Sequence, residues 1–426
     1  MNVLVLGSGG REHAIALMIS RSEKCDSIYV APGNGGTENF ATNINSIDPE
    51  SPAQVAEFAQ AYNIGLVVIG PEAPLVTDVA SAVRNKGIPC FGPGADGAKI
   101  EGSKEFAKKI MDTYNLPTAA YGAFSNEKEA AEYVRKQGAP IVVKADGLAA
   151  GKGVTVASTT EEALSAVHEC FDGRFGKAGA RVVIEEYMEG PECSMLAIVS
   201  GKCVRCLETS QDHKRAFDCD RGPNTGGMGA YSPVPFVTDE QHAKMQDIMQ
   251  RAADGIASEG IDYRGCLYGG FMLTGKGPKL LEFNARFGDP ETQVVLPRLK
   301  TDLLELMLAT SQGKLERINL EWDKRPALGV VIASEGYPGT YENGKEINGI
   351  KTAETDSCGN VIVFHAGTKH KDNKLLTSGG RVLCVSALGK TLQEARDSAY
   401  KAAEKITFDG ATKRNDIGNQ ALTYQS

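Results

Sequence analysis

The 426-residue sequence lacks any run of about 18 apolar residues, so no segment is expected to cross a membrane. Its start, Met1-Asn2-Val3-Leu4-Val5-Leu6-Gly7, has no basic leader and only a short apolar run, so no signal peptide is expected and the chain is placed in the cytoplasm. Positive charge is not in surplus. The net charge of −8 and a pI near 5.5 argue against nucleic acid as a partner. The ten cysteines are scattered, and Cys203-x-x-Cys206 has no second pair or histidine at zinc spacing. They read as buried thiols in a reducing compartment. Low-complexity tracts and internal repeats are also missing. What remains is ordinary globular composition, 42% hydrophobic and 23% charged, with a length suited to about two to four domains.

Residues 1–102 read as an open parallel α/β domain. Val3–Leu6 is a short buried strand, and Gly7-Ser8-Gly9-Gly10-Arg11-Glu12-His13 leads into a helix through Ile19. Strand, glycine turn and helix N-terminus make an anion site of backbone N–H groups at Gly9 and Gly10, with Arg11 beside it. A dinucleotide is disfavoured. Glu12 stands where the third glycine of the fingerprint would be, and the second strand, Ser27–Val30, runs into Ala31-Pro32-Gly33-Asn34 without an acid for a ribose. A sugar phosphate fits better. Further strands are expected at Leu66–Ile69 and Pro89–Phe91, with helices at 52–62, capped by Ser51 and opened by Pro52, and at 76–86. Such alternation places ligands at the carboxyl ends of the strands. Glu72 lies at one of these ends, where it either binds a hydroxyl or amine or caps the next helix.

Residues 103–325 hold a different machinery. Ser103 caps a helix through Met111, and Lys104 is either a surface lysine or a phosphate ligand. A strand at 120–124, a helix at 127–137 and the strand Ile141–Ala145 follow. The last delivers Lys144 into Asp146-Gly147-Leu148-Ala149-Ala150-Gly151-Lys152-Gly153, a glycine-rich cover for phosphates that lacks Walker spacing. After the return strand Val154–Ala157, Thr159 and Glu162 have capping-box spacing for a helix to Phe171. Val182–Ile184 then runs into the acidic hinge Glu185-Glu186-Tyr187-Met188-Glu189-Gly190-Pro191-Glu192, suited to adenine and ribose or simply a solvated turn, and a strand resumes at Cys193–Val199. Asp212-His213-Lys214-Arg215 and the glycine-rich 222–229 form a polar, cation-rich segment. It reads either as an exposed loop or as a substrate loop, with His213 as one possible general base.

The centre of the chain is Leu280-Leu281-Glu282-Phe283-Asn284-Ala285-Arg286-Phe287-Gly288-Asp289-Pro290-Glu291. Strand alternation puts Leu281 and Phe283 on one face, and Glu282, Asn284 and Arg286 on the other. Two hard oxygen ligands two residues apart make a half-site for Mg²⁺ or Mn²⁺, with phosphate oxygens completing it, and the arginine is placed to hold anionic charge. Gly288-Asp289-Pro290 ends the strand, and Pro290 is expected to open a helix. Taken alone, Glu-x-Asn-x-Arg is equally an ordinary polar strand edge.

In this order, the lysine strand, the glycine loop, the Glu-Glu-Tyr-Met-Glu-Gly-Pro-Glu hinge and the Glu-x-Asn strand resemble an ATP-grasp domain. Arg286–Gln293, Gly7–Ala14, Gln211–Arg215, Gly222–Gly229 and the tail Arg414-x-Asp416-Ile417-Gly418 resemble the phosphoribosylamine–glycine ligase family, also called glycinamide ribonucleotide synthetase, over essentially the whole chain.

The resemblance implies an N-terminal Rossmann-like domain (1–102), an ATP-grasp domain (103–325, with a mobile lid near 121–190) and a small C-terminal α+β domain (326–426). It further implies that Lys104, Lys144, Gly151, Gly153, Glu185, Glu186, Met188 and Glu192 bind ATP, and that Glu282 and Asn284 bind the metal. Substrates would meet Gly9, Gly10, Arg11, Glu72, Asp212, His213, Lys214, Asn224, Thr225, Gly226, Gly227, Arg286, Gly288, Asp289, Pro290 and Glu291. Arg286, Lys144 and Asp212 would serve the chemistry. The strand before Glu282, Leu267–Met272, has no acid, so no third protein ligand to the metal is assigned. The partners implied are ATP, glycine and 5-phosphoribosylamine, with the chain a monomer or weak dimer. Residues 326–426 show strands at 327–333, 361–365 and 381–386 and a helix at 391–405, with His365 and His370 read as structural. The rival functions are an ATP-grasp ligase with another acceptor and a non-catalytic nucleotide sensor.

Overall fold

The computed structural model describes residues 1–147, 153–174, 176–357 and 359–424. The first five strands, β1 (Asn2–Gly7), β2 (Ser27–Pro32), β3 (Thr42–Asn43), β4 (Ile64–Ile69) and β5 (Cys90–Phe91), form one parallel sheet in the order β3-β2-β1-β4-β5. Val3 and Val5 pack into one core and Leu4 and Leu6 into another, so β1 is buried on both faces, as a crossover-covered sheet requires. Helices α1 (Gly10–Ile19) and α2 (Pro52–Ala61) match expectation, although Ser51 makes no side-chain cap bond. The single helix expected at 76–86 is instead α3 (Ala73–Val76) and α4 (Val79–Asn85). Asp78 breaks it: at φ +64 its carboxylate accepts from Ser81 Oγ (2.7 Å) and the Ala95 N–H (2.9 Å), which the helical path would not allow. Two more helices, α5 (Ala95–Gly102) and α6 (Lys104–Thr113), lead out of this part, and the Ser103 hydroxyl accepts from Phe106 N as a cap.

A small antiparallel sheet follows, with strands β6 (Tyr121–Phe124), β7 (Ile141–Ala145), β8 (Val154–Ala157) and β9 (Val182–Glu186) in the order β6-β9-β7-β8. It is backed by α7 (Glu127–Gln137) and α8 (Thr160–Phe171), the latter held by the expected Thr159/Glu162 capping box. Ala130, Val134, Ile141, Val143, Val167 and Ile184 belong to a core separate from the rest.

Strands β10 (Glu192–Ser200) and β11 (Cys203–Cys206) belong to a second, larger antiparallel sheet. The chain then passes through β12 (Gln211–Asp212), the hairpin β13 (Arg215–Phe217) and β14 (Arg221–Asn224), and β15 (Gly229–Ser232). The 20-residue α9 (Asp239–Ser258), missed in the sequence reading, precedes β16 (Arg264–Thr274) and β17 (Gly277–Asn284). This larger antiparallel sheet has the order β11-β10-β16-β17. In the C-terminal part, β18 (Ala327–Ser334), β19 (Val361–His365), β20 (Thr368–Lys371), β21 (Lys374–Thr377) and β22 (Arg381–Leu388) are followed by α10 (Leu392–Ala403). The sheet here runs β12-β15-β18-β22-β19. The strands flanking the polar 212–229 segment are therefore built into the C-terminal sheet, Gly229 standing opposite Val330. Among the described residues no helix is long and apolar enough to cross a membrane.

Candidate active site

Lys144, on β7, is 6% exposed, and its Nζ reaches Glu185 Oε2 on β9 at 2.8 Å and the Leu281 carbonyl on β17 at 3.3 Å. It therefore bridges the small sheet and the metal-strand candidate. Lys104 donates to the Gly147 carbonyl at 2.9 Å at the start of the glycine loop. Burial lowers its proton affinity, and Lys144 adds to that effect. Gly151 lies outside the described residues. Gly153 accepts from Ala145 N at 2.8 Å, closing the base of that loop. Met188, Ala119, Met272 and Leu281 form a small apolar cluster at the hinge. Glu185 and Glu186 point to opposite sides, as strand alternation demands: Glu185 is buried, whereas Glu186 is exposed and pairs with Lys279 at 2.8 Å.

On β17 the expected face is modified by a bulge. Gly270 faces Glu282 but Phe271 faces Leu280, so the core residues are Leu280 and Phe283, and Leu281 turns to the hinge cluster. Glu282 and Asn284 stay two residues apart, opposite Gly270 and Tyr268. Burial would raise the Glu282 carboxyl, but Lys214, Lys144, Lys104 and Arg286 outweigh it and hold it below the usual range. A charged carboxylate and an amide oxygen are hard donors that suit Mg²⁺ or Mn²⁺. Among the described residues no group of three His, Cys, Asp or Glu side chains could hold a metal.

The acceptor segment meets this strand. Lys214 Nζ binds Glu192 Oε2 at 2.7 Å, and the charges of Glu192, Asp212 and Glu282 raise its proton affinity well above the ordinary value despite burial. Burial, with Glu291, Glu192 and Glu282 nearby, pushes the Asp212 carboxyl up to about 7 against the pull of Lys214. Thr225 Oγ1 donates to the Lys214 carbonyl at 2.9 Å and accepts from Gly227 N at 2.9 Å, so the two halves of the loop are laced together. Asn224 stands opposite Arg215 in the hairpin. At Gly227 φ is +112, and a Cβ would meet Pro290 Cδ at 2.4 Å, so loop and turn approach closely only because this residue is glycine. His213 does not fit the general-base reading. Its Nε2 accepts from Gly418 N at 3.3 Å, which leaves the proton on Nδ1, and burial together with Arg414 pushes its pKa down to about 4.

Other expectations are revised. Arg286 is not a free cation: its Nη2 lies 3.0 Å from Glu101 Oε1, and its Nε lies 3.5 Å from Glu72 Oε2 without hydrogen-bond geometry. Glu72 occupies the N-cap position of α3 but makes no cap bond there, so its side chain serves Arg286. The helix after β17 begins at Thr292, not Pro290, which follows a cis peptide bond. Gly288 packs against the carboxylate of Glu291, which is 3% exposed.

The first glycine turn is occupied by the protein's own acids. Gly9 N donates to Glu12 Oε2 (2.7 Å), Arg11 N to Asp289 Oδ2 (3.4 Å), Arg11 Nε to Glu12 Oε1 (2.5 Å) and Arg11 Nη1 to the Phe287 carbonyl (3.0 Å). Arg11 is thus a buried tie to the 287–289 turn rather than an open anion ligand. Gly10 packs against Gln293. Sequence reasoning missed Arg381, whose Nη1 binds the carbonyls of Gly226 (2.6 Å) and Asp289 (2.8 Å). It also missed the Tyr337 hydroxyl, which accepts from Gly226 N at 3.0 Å. No local pattern marks either residue, because both reach the loop from the C-terminal part.

With this geometry in hand, family models match along the chain: the phosphoribosylglycinamide synthetase N domain at residues 1–101, its ATP-grasp (A) domain at 102–292 and its C domain at 327–420. The chain belongs to the phosphoribosylglycinamide synthetase family. Among curated relatives, the phosphoribosylamine–glycine ligase of Halalkalibacterium halodurans is 50% identical over 428 residues, covering 100% of this chain and 98% of that one. The enzyme of the same name from Allochromatium vinosum is 50% identical over 430 residues, with 100% of both chains covered. Among solved structures, the phosphoribosylamine–glycine ligase of Thermotoga maritima superposes with a TM-score of 0.86 at 35% identity, covering 98% of this chain and 100% of that one. The biotin carboxylase domain of Hydrogenobacter thermophilus 2-oxoglutarate carboxylase shares the fold, with a TM-score of 0.74 at 17% identity, covering 97% of this chain and 91% of that one.

Proposed function

We propose that this family member is an ATP-dependent carbon–nitrogen ligase of purine biosynthesis, joining glycine to 5-phosphoribosylamine to give glycinamide ribonucleotide, ADP and phosphate. The observation that carries the chemistry is the surroundings of Glu282, where Lys144 and Lys104 from the nucleotide side and Lys214 and Arg286 from the acceptor side act on one carboxylate. Two anions, the glycine carboxylate and the terminal phosphate, must approach each other, and this is where their charge would be offset.

In this reading Lys104 and Lys144 hold the ATP phosphates, and the loop containing Gly151 and Gly153 covers them. The Met188 cluster and the Glu185–Glu186 backbone take the adenine, and Glu192 takes the ribose. Glu282 and Asn284 would hold Mg²⁺ or Mn²⁺, which when bound supplies charge neutralisation at the phosphates. The glycine carboxylate attacks the γ-phosphorus and displaces ADP by breaking the bond from that phosphorus to the β,γ-bridging oxygen, giving glycyl phosphate. The amine of phosphoribosylamine then adds to its carbonyl and expels phosphate. Asp212, Lys214 and the 224–227 loop orient the acceptor side, and Asp212, titrating near neutrality, can take the proton released by the amine. Gly9, Gly10 and the Gly288–Glu291 turn shape the phosphoribosyl side, with Arg11, Arg286 and Glu72 fixing that turn. Exclusion of water from the acyl phosphate assigns the 121–190 subdomain the role of lid. The chain works in the cytoplasm as a monomer or weak dimer.

The test is a panel of amine acceptors with ATP and glycine, read by ADP release. Release only with phosphoribosylamine is expected. Equal release with other amines would favour a ligase with a different acceptor, and ATP binding without release would favour a sensor.

A further inference from the structure

Lys108 has no part in the reading above, yet it is among the most deeply buried charges of the chain. It lies on α6 and is 2% exposed; its Nζ donates to Thr118 Oγ1 at 2.7 Å and stands 3.4 Å from Glu185 Oε1. The Tyr121 ring lies beneath it, 5.3 Å to the centroid. Glu185 is itself 2% exposed, and its other oxygen takes Lys144 at 2.8 Å. One buried carboxylate therefore carries two buried ammonium groups, one on each oxygen.

This arrangement matters for Lys144. If Lys144 were the sole counter-ion of Glu185, phosphates drawing it away would leave a buried carboxylate unpaired, which is among the costliest states a protein interior can hold. With Lys108 on Oε1 the carboxylate stays compensated while Lys144 turns to the nucleotide. We propose that Lys108 is a positioning residue that keeps Glu185 neutralised so that Lys144 is available to the ATP phosphates. The same group is tied to the metal-strand candidate, because Thr118 Oγ1 in turn donates a hydrogen bond to the Leu280 carbonyl at 2.7 Å, two residues before Glu282. Burial lowers the proton affinity of Lys108 to about 8, Glu185 and Asp112 opposing this and Lys144 adding to it, which leaves the group mostly protonated at neutral pH.

The inference rests on the placement of the ATP phosphates at Lys144, so Lys108→Met, Lys108→Arg and Lys144→Met are compared in the full chain. Lys108→Met should raise KM for ATP by about tenfold or more, with KM for glycine little changed, and Lys108→Arg should restore most of the loss. In a Glu185→Gln background, where no charge needs compensation, Lys108→Met should change KM for ATP by less than about threefold. An unchanged KM for ATP in Lys108→Met, or an equal loss in both backgrounds, would overturn the role. If Lys108→Met alone does not fold, the double variant decides: a folded enzyme matching Glu185→Gln supports the proposal, and failure of the double variant as well refutes it. If Lys144→Met also leaves KM for ATP and turnover intact, the phosphate placement itself is wrong.

Discussion

Lys144 is the residue on which the nucleotide reading turns. Its neighbours predict how its loss would act. Lys144→Met leaves Glu185 still paired with Lys108, so the fold should persist while turnover drops by about 10²-fold or more from the lost phosphate contact. Circular dichroism with ADP release at saturating ATP checks this; near-normal turnover would remove Lys144 from the site. Glu282→Gln and Asn284→Leu should each shift the Mg²⁺ titration of activity to higher concentration and lower its plateau, Glu282→Gln by more, on the order of several kcal/mol, because it removes a charged ligand whereas Asn284 is a neutral one. Titrations that overlay the parent chain would place the metal elsewhere. Glu282, Asn284 and Lys144 were candidates from local sequence because strand period and a glycine loop leave a mark, whereas Lys104 stood open between a surface lysine and a phosphate ligand until the family resemblance was drawn. Lys108, Glu101 and Arg381 leave no such mark. Each is an ordinary charged residue in its own segment and acquires meaning only from partners 77, 185 and 155 positions away.

At the scale of elements, capping chemistry was the most legible signal. Ser103 and Thr159 open helices with side-chain caps as expected, because a hydroxyl at that point satisfies N–H groups the helix cannot, whereas Ser51 makes no cap bond. The split of α3 from α4 and the bulge at Leu281 were not legible. Both depend on tertiary bonds, Asp78 to Ala95 and the register of β17 on β16, and no apolar period records them. The small sheet β6-β9-β7-β8 bears on dynamics. Its core is separate from the main clusters, a composition suited to movement as one piece. Amides of β7 and β8 should therefore exchange measurably more slowly with ATP than without it, while those of β1 and β4 stay unchanged. Equal exchange of β7 and β8 in both states would argue against a lid.

Across the whole molecule, the first and last parts meet at two buried histidines. His365 N donates to His13 Nδ1 at 2.7 Å. Burial pushes His13 down to about 3, aided by His365, and His365 down to about 4, aided by His370, which itself pairs with Glu38 at 2.8 Å. An unfolded histidine takes its proton near about 6.5, so between pH 6.5 and 4 the unfolded chain binds more protons than the folded one. Stability is full at pH 7 and falls through that window, by on the order of 3 kcal/mol for His365 alone. The urea midpoint should drop from pH 7 to pH 5, and drop less in His13→Asn, which keeps an acceptor facing the His365 N–H. The same whole-chain geometry argues for the chemical path. In the proposed reading the apolar cluster of Ala119, Met188, Met272 and Leu281 takes the base, and none of those four side chains is a cation that could hold a carboxylate. Lys214 and Arg286 act on Glu282, and Asp212 and Glu291 belong to the same charged group, with Lys214 also bonded to Glu192. A carboxylate held there meets the terminal phosphate, not the α-phosphate. Glycine labelled with ¹⁸O in its carboxylate should thus transfer one labelled oxygen to inorganic phosphate. Label in AMP, with pyrophosphate released, would reverse the orientation of the nucleotide and with it the assignment of the acceptor side.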